Sequence, residues 1–573
     1  MPLALVAMRC IPGPKPSATA GALAERVRAF ERFETAGSIW ADWDNPFDPE
    51  QVRLDGEFRA PDGSTLAMPG FYTRDFRRAL VGDFEQLAPR PQPHWRVRMT
   101  PTQPGTWEWR WVVTTPAGTA TTEWTAFEVE PAAPDRHGFL RRSPRDGRYL
   151  AWDDGTPYVA IGENLAWYDG RGTYAYDDWI PKLAAQGVNY VRLWMPSWAF
   201  GIEQDALGDY TNRLDRAWQL DHVLALAERH GIAVMLCIQN HGPFSLEANS
   251  EWESNPYNAA NGGPLAAPAD FFTDPAARAL FERRLRYLVA RWGYATHLLA
   301  WELWNEVDLV ATGPAVEAWH ADMARLLRVL DPYDHLVTTS LARGNASPLW
   351  SLPELDLVQI HHYAFPLAYD IPSTIAQRLR LQRNAHPGKP QLLGEHGADY
   401  RGPAETLALD PESIGFHHGN WIGLVGGGFG AGMTWWWDDL IDPEDLYFRF
   451  APLARFVAGV AFDAQDFTAI RPAVAADGRN LAAYALRGES VVLAWVQNAD
   501  HQWSLDPLPG PDPEEVLGAA LTLTGLADGA WTARWIDTRT GADVAVEPVA
   551  FSGGTVVLAV PIFREDIALR FER

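Results

Sequence analysis

Eight short apolar runs that alternate with helical segments constrain the fold of this chain more than any other feature. The runs lie at residues 158–162, 187–195, 232–238, 298–304, 336–340, 355–361, 391–395 and 432–437. Runs that are apolar almost throughout are typical of parallel strands covered on both faces. Three segments between them, at 216–230, 277–292 and 316–330, repeat apolar residues at a helical period. The pattern predicts an α/β fold, a (β/α)8 barrel over residues 136–462.

The segments on either side of this region have the pattern of antiparallel β-structure. Residues 24–133 and 463–573 contain short runs in which apolar and polar residues alternate, such as WEWRW at 107–111. Turn sequences such as APDG at 60–63 and TRTG at 538–541 separate these runs. Alternation of this kind suits sheets with one wet face. The sequence therefore predicts an N-terminal and a C-terminal β-sandwich flanking the barrel.

The charge of the chain narrows the classes of partner. The formal net charge is −25, whereas a nucleic-acid binder needs a basic surface to neutralise phosphates. The same field disfavours anionic membranes, and no stretch approaches the ~18 apolar residues of a transmembrane helix. We therefore expect no nucleic-acid partner, no membrane partner and a neutral substrate. The oligomeric state is left open.

The two cysteines and the N-terminus say little about chemistry but bear on location. Cys10 and Cys237 are too few for a disulfide framework or a cysteine-based zinc site, and Cys237 lies in an apolar run typical of a core. Residues 1–8 are apolar, but they lack a basic region and Arg9 interrupts them. We interpret this segment as a tail rather than a signal peptide. A cytoplasmic location is favoured, with secretion as the alternative.

Two glutamates stand at the ends of predicted strands. The fourth strand ends in WELWNE with Glu306, and the seventh ends in LLGEHG with Glu395. The carboxyl ends of barrel strands meet on one face, so the two side chains are expected to share a cleft. A lone glutamate in a strand is usually a satisfied core or surface residue. Two that converge push their pKa values apart, which gives one proton donor and one ionised carboxylate, as retaining glycoside hydrolysis requires.

Here the sequence resembles the clan A glycoside hydrolases, the family 5 type in particular. The resemblance is carried by Asn305-Glu306 after an apolar strand and by Glu395 at the end of strand seven. It implies that Glu306 is the acid/base, that Glu395 is the nucleophile and that Asn305 binds the sugar 2-hydroxyl. It also implies that no cofactor and no metal is needed. Outside the barrel, the N-terminal segment resembles a domain of unknown function that precedes bacterial glycosidase barrels.

The same resemblance implies further residues that bind substrate. Arg192 on strand two would orient the nucleophile and keep it ionised, and Tyr363 would hydrogen-bond it. The remaining candidates line the subsite of the cleaved sugar: His361 (with His362 as the alternative), Trp437 as its floor, Asn164, Glu163 and Trp167 after strand one, and His241 (with Asn240 as the alternative) after strand three. Adjacent strand residues face opposite ways, so His361 and His362 are not expected to bind one metal ion.

These residues together predict a retaining hydrolase of β-glycosidic bonds in a neutral oligo- or polysaccharide. Two alternatives stay open: a transglycosylase with the same residues, and a carbohydrate-binding protein of weak activity. The sequence identifies neither the sugar nor endo against exo action. The insert at 247–269 is interpreted as a loop that shapes the cleft.

Overall fold

The computed structural model describes residues 15–343, 347–366, 370–501 and 513–573. The apolar run at 1–8 and Cys10 therefore lie outside the described residues. None of the helices within these ranges is both long and apolar enough to cross a bilayer. Cys237 is buried, in agreement with its interpretation as a core residue.

The N-terminal part is β-structure, and its core confirms the alternating pattern. Trp107, Trp109 and Trp111 are buried, while Glu108 and Arg110 between them pair with charged residues of the neighbouring strand. One sheet has the order β1-β3-β9-β6, a second has β2-β12-β10-β4-β5 with β11 on β10, and β7 and β8 form a hairpin. The strands are β1 (Ser17–Ala22), β2 (Arg26–Arg28), β3 (Phe33–Trp40), β4 (Arg53–Arg59), β5 (Thr65–Pro69), β6 (Phe71–Thr73), β7 (Phe76–Val81), β8 (Phe84–Pro89), β9 (His94–Met99), β10 (Gly105–Thr115), β11 (Gly118–Thr121) and β12 (Thr125–Glu130).

The central part alternates strands and helices, as the sequence predicts. After a three-stranded sheet, β13 (Leu140–Arg142), β14 (Leu150–Trp152) and β15 (Pro157–Tyr158), come strands that pair in parallel. These are β16 (Gly162–Asn164), β17 (Tyr190–Trp194), β18 (Ala233–Cys237), β19 (Leu298–Glu302), β20 (Leu336–Thr338), β21 (Ser340–Leu341), β22 (Val358–Tyr363) and β23 (Gln391–Gly397). The helices are α1 (Thr173–Ala185), α2 (Leu214–Arg229), α3 (Pro275–Trp292), α4 (Pro314–Leu330), α5 (Ile371–Ala385), α6 (Pro403–Leu409), α7 (Ile414–Val425) and α8 (Phe450–Val457).

The three helices predicted from periodicity are confirmed as α2, α3 and α4. The start of α3 shows why these segments are helical. The Asp274 carboxylate accepts hydrogen bonds from the backbone N–H groups of Ala276 and Ala277, and Pro275 occupies the first helical position. Both features satisfy or remove donors that a helix start leaves free.

The parallel strands form a five-stranded sheet, β16 to β20, and a three-stranded sheet, β21 to β23. Isolated parallel bridges extend both sheets through residues 430–434. Gly430 pairs with Ala160, which precedes β16, and Thr434 pairs with His396 of β23.

The prediction of a strand at 432–437 is wrong in its bounds. The described β-pairing here consists of single bridges at Gly430, just before the segment, and at Thr434, and a π-helical turn runs over Trp437–Ile441. Gly432 approaches α7 so closely that a Cβ there would lie 2.4 Å from the carbonyl oxygen of Gly419. The segment is therefore shaped by contact with a helix as well as by sheet pairing.

The C-terminal part is again antiparallel β-structure in two sheets, with orders β24-β26-β27-β32-β29-β30 and β25-β28-β31. Its strands are β24 (Thr468–Ile470), β25 (Ala473–Ala475), β26 (Leu481–Arg487), β27 (Val491–Asn498), β28 (Ala520–Thr524), β29 (Gly529–Ile536), β30 (Asp543–Phe551), β31 (Thr555–Ala559) and β32 (Asp566–Glu572). The domain boundaries at 133 and 463 stay a prediction. β1 begins before the predicted start at residue 24.

Candidate active site

Arg192 of β17 is the centre of a buried hydrogen-bonded cluster. Its Nη1 donates to Oε1 of Glu395 at 2.7 Å, and its Nη2 donates to Oδ1 of Asn305 at 2.7 Å. Its Nε and Nη2 also donate to the two carboxylate oxygens of Glu302 at 2.6 and 2.7 Å. A planar guanidinium suits such fork-shaped contacts. One cation therefore holds the predicted nucleophile, the predicted sugar-binding amide and a second carboxylate in one geometry.

Glu395 is fixed from two sides. Besides the bond from Arg192, its Oε2 accepts a hydrogen bond from the Tyr363 hydroxyl at 2.8 Å. Tyr363 and His361 alternate along β22 and share a face, so both reach the cluster. This places His361, not His362, at the site. The ring nitrogens of His362 have no hydrogen-bond partner among the described residues.

Among the described residues, Glu306 makes its close side-chain contacts with two histidines and forms no ion pair with an arginine. The Nδ1 atom of His361 is 2.8 Å from Oε1 of Glu306, and Nδ1 of His241 is 3.4 Å from its Oε2. Burial lowers the pKa of His361 to about 4 and also lowers that of His241. Burial thus favours the neutral form of both rings, while the charge of Glu306 acts in the opposite direction on the pKa of His241, and His241 in turn opposes the rise in the pKa of Glu306.

The backbone at Glu306 is in the left-handed region. Its φ is 51° and its ψ is 50°, directly after the chain leaves β19. Non-glycine residues rarely adopt this conformation, and it costs of order 1–3 kcal/mol where the surroundings impose it. Ser340 supports the turn, because its hydroxyl accepts from the Glu306 N–H and donates to Oδ1 of Asn305, each at 3.1 Å.

Burial raises the pKa of both Glu306 and Glu395. At Glu395, His361 and Arg192 oppose this rise, whereas the charge of Glu306 adds to it. The two carboxyl groups interact, so their titration belongs to the pair. The proton that the pair retains is held at Glu306, because Glu395 carries the bonds from Arg192 and Tyr363 that favour its ionised form.

The two carboxylates are close together. One oxygen of Glu306, one oxygen of Glu395 and one ring nitrogen of His361 lie within 4.8 Å of one another. Retaining glycosidases hold their carboxyl groups ~5–5.5 Å apart and inverting ones ~6.5–9.5 Å apart. The same three residues have ligand types and spacing that would fit a cation. The expectation that the site needs no metal stays a prediction.

The last two residues of β16, Glu163 and Asn164, point to opposite sides of the strand. Asn164 faces the cluster, and its Oδ1 lies 3.3 Å from Nη1 of Arg192. Glu163 is fully buried, and its Oε1 accepts from the backbone N–H of Asn164 while its Oε2 has no partner among the described residues. Burial raises its pKa well above the ordinary value. The structure does not bring Glu163 into the cluster, because adjacent strand residues point to opposite sides.

Four tryptophans form an aromatic wall. Trp167 packs edge-on against Trp194, Trp435 and Trp437, with ring centroids 5.7, 5.5 and 4.9 Å away. Trp437 is 2% exposed and stands in the π-helical turn, where its indole N–H has no partner among the described residues. Trp435 is 8% exposed and lies 4.8 Å from Trp194, whose ring is 6.4 Å from His241. Trp435 thus joins the wall to His241 through Trp194, and the assignment of Trp437 as the floor of the subsite stays a prediction.

Sequence reasoning missed Glu302, Gln359 and Ser340. Glu302 is fully buried against Arg192 and also accepts a hydrogen bond from Nε2 of Gln359 at 2.8 Å. Its signal was present in the string WELWNE, where a charged residue interrupts an apolar strand. Nothing in the sequence marks Ser340 or Gln359.

His241 is the histidine that reaches Glu306 after β18. Its Nδ1 lies 3.2 Å from the amide nitrogen of Asn305, and its Nε2 lies 3.3 Å from that of Asn249 in the 247–269 insert. Asn240 instead accepts from the backbone N–H of Gly242. The insert therefore contacts the site through His241, and its role in shaping a cleft stays a prediction.

Comparison with known proteins agrees with the resemblance drawn from the sequence. Residues 26–114 match the family described as a domain of unknown function, DUF5060. Mannan endo-1,4-beta-mannosidase 3 of Oryza sativa subsp. japonica is 28% identical over 218 residues, 33% of this chain and 44% of the relative. Mannan endo-1,4-beta-mannosidase 7 of Arabidopsis thaliana is 25% identical over 300 residues, 44% of this chain and 68% of the relative.

The chain spans about half the length of most of these curated relatives. Among solved structures, a candidate glycoside hydrolase from Bacteroides vulgatus ATCC 8482 has a TM-score of 0.63 at 18% identity. The match covers 96% of this chain and 99% of that one, so the whole fold is shared.

Proposed function

We propose that this protein is a retaining glycoside hydrolase whose nucleophile is Glu395 and whose acid/base is Glu306. The observation that carries the proposal is the approach of their carboxylate oxygens to within 4.8 Å. This approach of one oxygen from each group is nearer to the ~5–5.5 Å separation of retaining glycosidases than to the ~6.5–9.5 Å of inverting ones, and it supports direct attack on the anomeric carbon. The relatives named as mannan endo-1,4-beta-mannosidases support the same chemistry.

The fold proposed for the central part is a (β/α)8 barrel. The five-stranded and three-stranded parallel sheets, together with the bridges at Gly430 and Thr434, support a closed ring whose eighth member is the irregular segment 430–434. In such a barrel the site lies at the carboxyl ends of the strands. The carboxyl ends of β17, β19, β22 and β23 carry the cluster, in agreement with this location.

The mechanism follows from the contacts. Arg192 and Tyr363 hold Glu395 ionised and aimed, so that it attacks the anomeric carbon while protonated Glu306 donates its proton to the leaving oxygen. Glu306 then carries a negative charge beside two neutral histidines and takes a proton from water. That water breaks the glycosyl–Glu395 bond and restores both carboxyls. Asn305, held by Arg192 and Ser340, is positioned to bind the 2-hydroxyl.

The first substrate class to test is a β-1,4-linked mannan, because the curated relatives are named for this activity. Activity on mannan is the named property of those relatives, and for this protein it is a proposal. A neutral polymer is also consistent with the net charge of −25.

The proposal is tested with Glu395→Ala. Wild-type protein is expected to release reducing sugar from one of a panel of β-mannan, β-glucan and β-xylan, and Glu395→Ala is expected to lose at least ~10⁴-fold in kcat. Azide should restore turnover of an activated aryl glycoside and yield a glycosyl azide of inverted configuration. Glu514→Ala serves as the control, since that side chain is 78% exposed and lies in the C-terminal part. Full activity in Glu395→Ala would overturn the assignment.

A further inference from the structure

A second cavity, of about 740 Å³, lies between the central helices and the C-terminal strands. One wall comes from α5 and the end of α7, at Val425 and Gly426, and the other comes from β24 with Arg471 and Tyr484. None of its described lining residues belongs to the Arg192 cluster. The cavity is therefore a separate site, and its volume suits a small molecule.

The charge of the lining is the reverse of the charge of the chain. Arg148, Arg380, Arg383 and Arg471 line the cavity, and no Asp or Glu does so among the residues that the structure describes. The whole chain carries 73 acidic against 48 basic residues, so four arginines without a lining carboxylate require an explanation. For Arg148 the explanation is its ion pairs with Asp146 and Asp466, which lie outside the lining. The other three form no ion pair with any described residue.

Of the three arginines, Arg383 is the least exposed, so its burial carries the largest desolvation cost. It is half-buried, and its Nε atom is enclosed without a partner among the described residues. Its Nη2 donates to the carbonyl oxygen of Gly426 at 2.7 Å, a neutral acceptor at the end of α7. Burial lowers its pKa, and no carboxylate offsets that loss. A desolvated guanidinium without a counter-charge is unfavourable unless an anion completes it.

Arg380 and Arg471 stand at the mouth with their side chains exposed. Arg471 is held in place, since its guanidinium lies 4.6 Å from the centre of the Tyr484 ring and donates to the Tyr484 hydroxyl at 3.2 Å. Asp370 caps the start of α5, where it accepts from the Ser373 N–H, and burial together with the charge of Asp370 raises the pKa of Tyr484. Two forks at the mouth and one at the base are the arrangement that binds oxyanions.

We propose that this cavity binds a small ligand with an oxyanion group, either the carboxylate of an acidic sugar or a phosphate. Arg383 would contact the anion at the base, and Arg380 and Arg471 would hold it at the mouth. The simpler alternative gives Arg383 a structural role alone, as a cap on the last carbonyl groups of α7. The two readings differ at Arg380 and Arg471, which the capping role does not need.

The test is calorimetric titration of the full chain at low salt with glucuronate, inorganic phosphate and neutral glucose. Wild-type protein is expected to bind glucuronate or phosphate and not glucose, and binding should weaken as salt is added. Arg380→Gln and Arg471→Gln should each weaken it about tenfold, since each removes a charged hydrogen-bond donor. Arg383→Gln should weaken it at least as much.

The control is Arg564→Gln, an exposed arginine of the C-terminal part paired with Glu515, which should bind like wild type. The two anion arms identify the source: glucuronate alone indicates an acidic sugar and phosphate alone a phosphate ligand. If Arg383→Gln fails to fold, the two mouth variants still decide the question. Absence of binding of both anions, equal binding of glucose, or unchanged binding in both mouth variants would overturn the proposal.

Discussion

The two glutamates at the proposed site differ in the groups that surround them, and this difference sets the expected pH dependence. Burial raises the pKa of both. Turnover requires Glu395 ionised and Glu306 protonated, so kcat/KM is expected to rise with pH on the acid limb and fall on the alkaline limb. Because its pKa is raised, Glu306 keeps its proton at pH values above the ordinary glutamate pKa of ~4.3. This moves the alkaline limb towards neutrality.

Tyr363→Phe tests which limb belongs to Glu395. The hydroxyl stabilises the ionised carboxylate, so its loss raises the pKa of Glu395 and moves the acid limb to higher pH, leaving the alkaline limb in place. Activity at the optimum should fall about tenfold. Tyr400→Phe is the control, because Tyr400 is 58% exposed with its ring 6.4 Å from that of Tyr363. A shift of the alkaline limb alone would contradict the assignment.

At the residue scale, the sequence predicted which side chains form the site better than it predicted the hydrogen bonds between them. The resemblance to the clan A glycoside hydrolases implied Arg192 and Tyr363 as partners of the nucleophile, and the structure joins both to Glu395. The contacts were harder to predict where the chain leaves the extended conformation after Glu302. Simple alternation from Glu302 would put Asn305 on the opposite side, whereas both side chains reach Arg192.

At the element scale, the junction between β19 and the helical turn that follows holds the proposed acid/base in a strained conformation. Glu306→Gly and Glu306→Ala both remove the carboxyl group, but only glycine adopts φ 51° without strain. The glycine variant is expected to be about 1 kcal/mol more stable than the alanine variant, measured by thermal or urea unfolding. Both should be inactive on natural substrates. An alanine variant as stable as the glycine variant would show that the junction is unstrained.

The eighth strand shows where element prediction failed. Its sequence, GAGMTWWW at 430–437, contains apolar and aromatic residues that favour a strand, but the close approach of Gly432 to α7 is a tertiary contact that no local pattern reveals. The π-helical turn begins at Trp437, so the choice of Trp437 as the residue nearest the strand end rested on a boundary that the structure moves. Helices with a clear period and a capping residue, such as α3, were predicted within a few residues.

At the scale of the whole molecule, a buried ion cluster joins the N-terminal β-structure to the central helices. Arg98 of β9 is 2% exposed and donates to Asp221 of α2 at 2.9 and 3.0 Å. Asp221 also accepts from Arg291 and from the indole N–H of Trp292 in α3. Burial alone would raise the pKa of Asp221, but Arg291 and Arg98 outweigh it and hold that pKa well below its ordinary value.

Asp221→Asn is therefore expected to destabilise the protein by about 3–5 kcal/mol at pH 7, because it leaves Arg291 buried without a described counter-charge and leaves Arg98 paired with Glu34 alone. The sign of the pH dependence follows from the lowered pKa. The stabilisation is complete above the unfolded value of ~3.9 and is lost as pH falls towards the folded value. Urea unfolding of both proteins at pH 7 and in strong acid should show a difference that shrinks on acidification.

The control for this cluster is Asp322→Asn, which breaks ion pairs with Arg278 and Arg325 at a side chain that is 42% exposed. Exposed pairs contribute only ~0–1 kcal/mol, so this variant should unfold close to wild type at every pH. If Asp221→Asn behaved in the same way, the cluster would not join the two parts energetically. The N-terminal β-structure would then be held to the central part by apolar packing, to which Phe47 and Phe71 contribute within the central hydrophobic cluster.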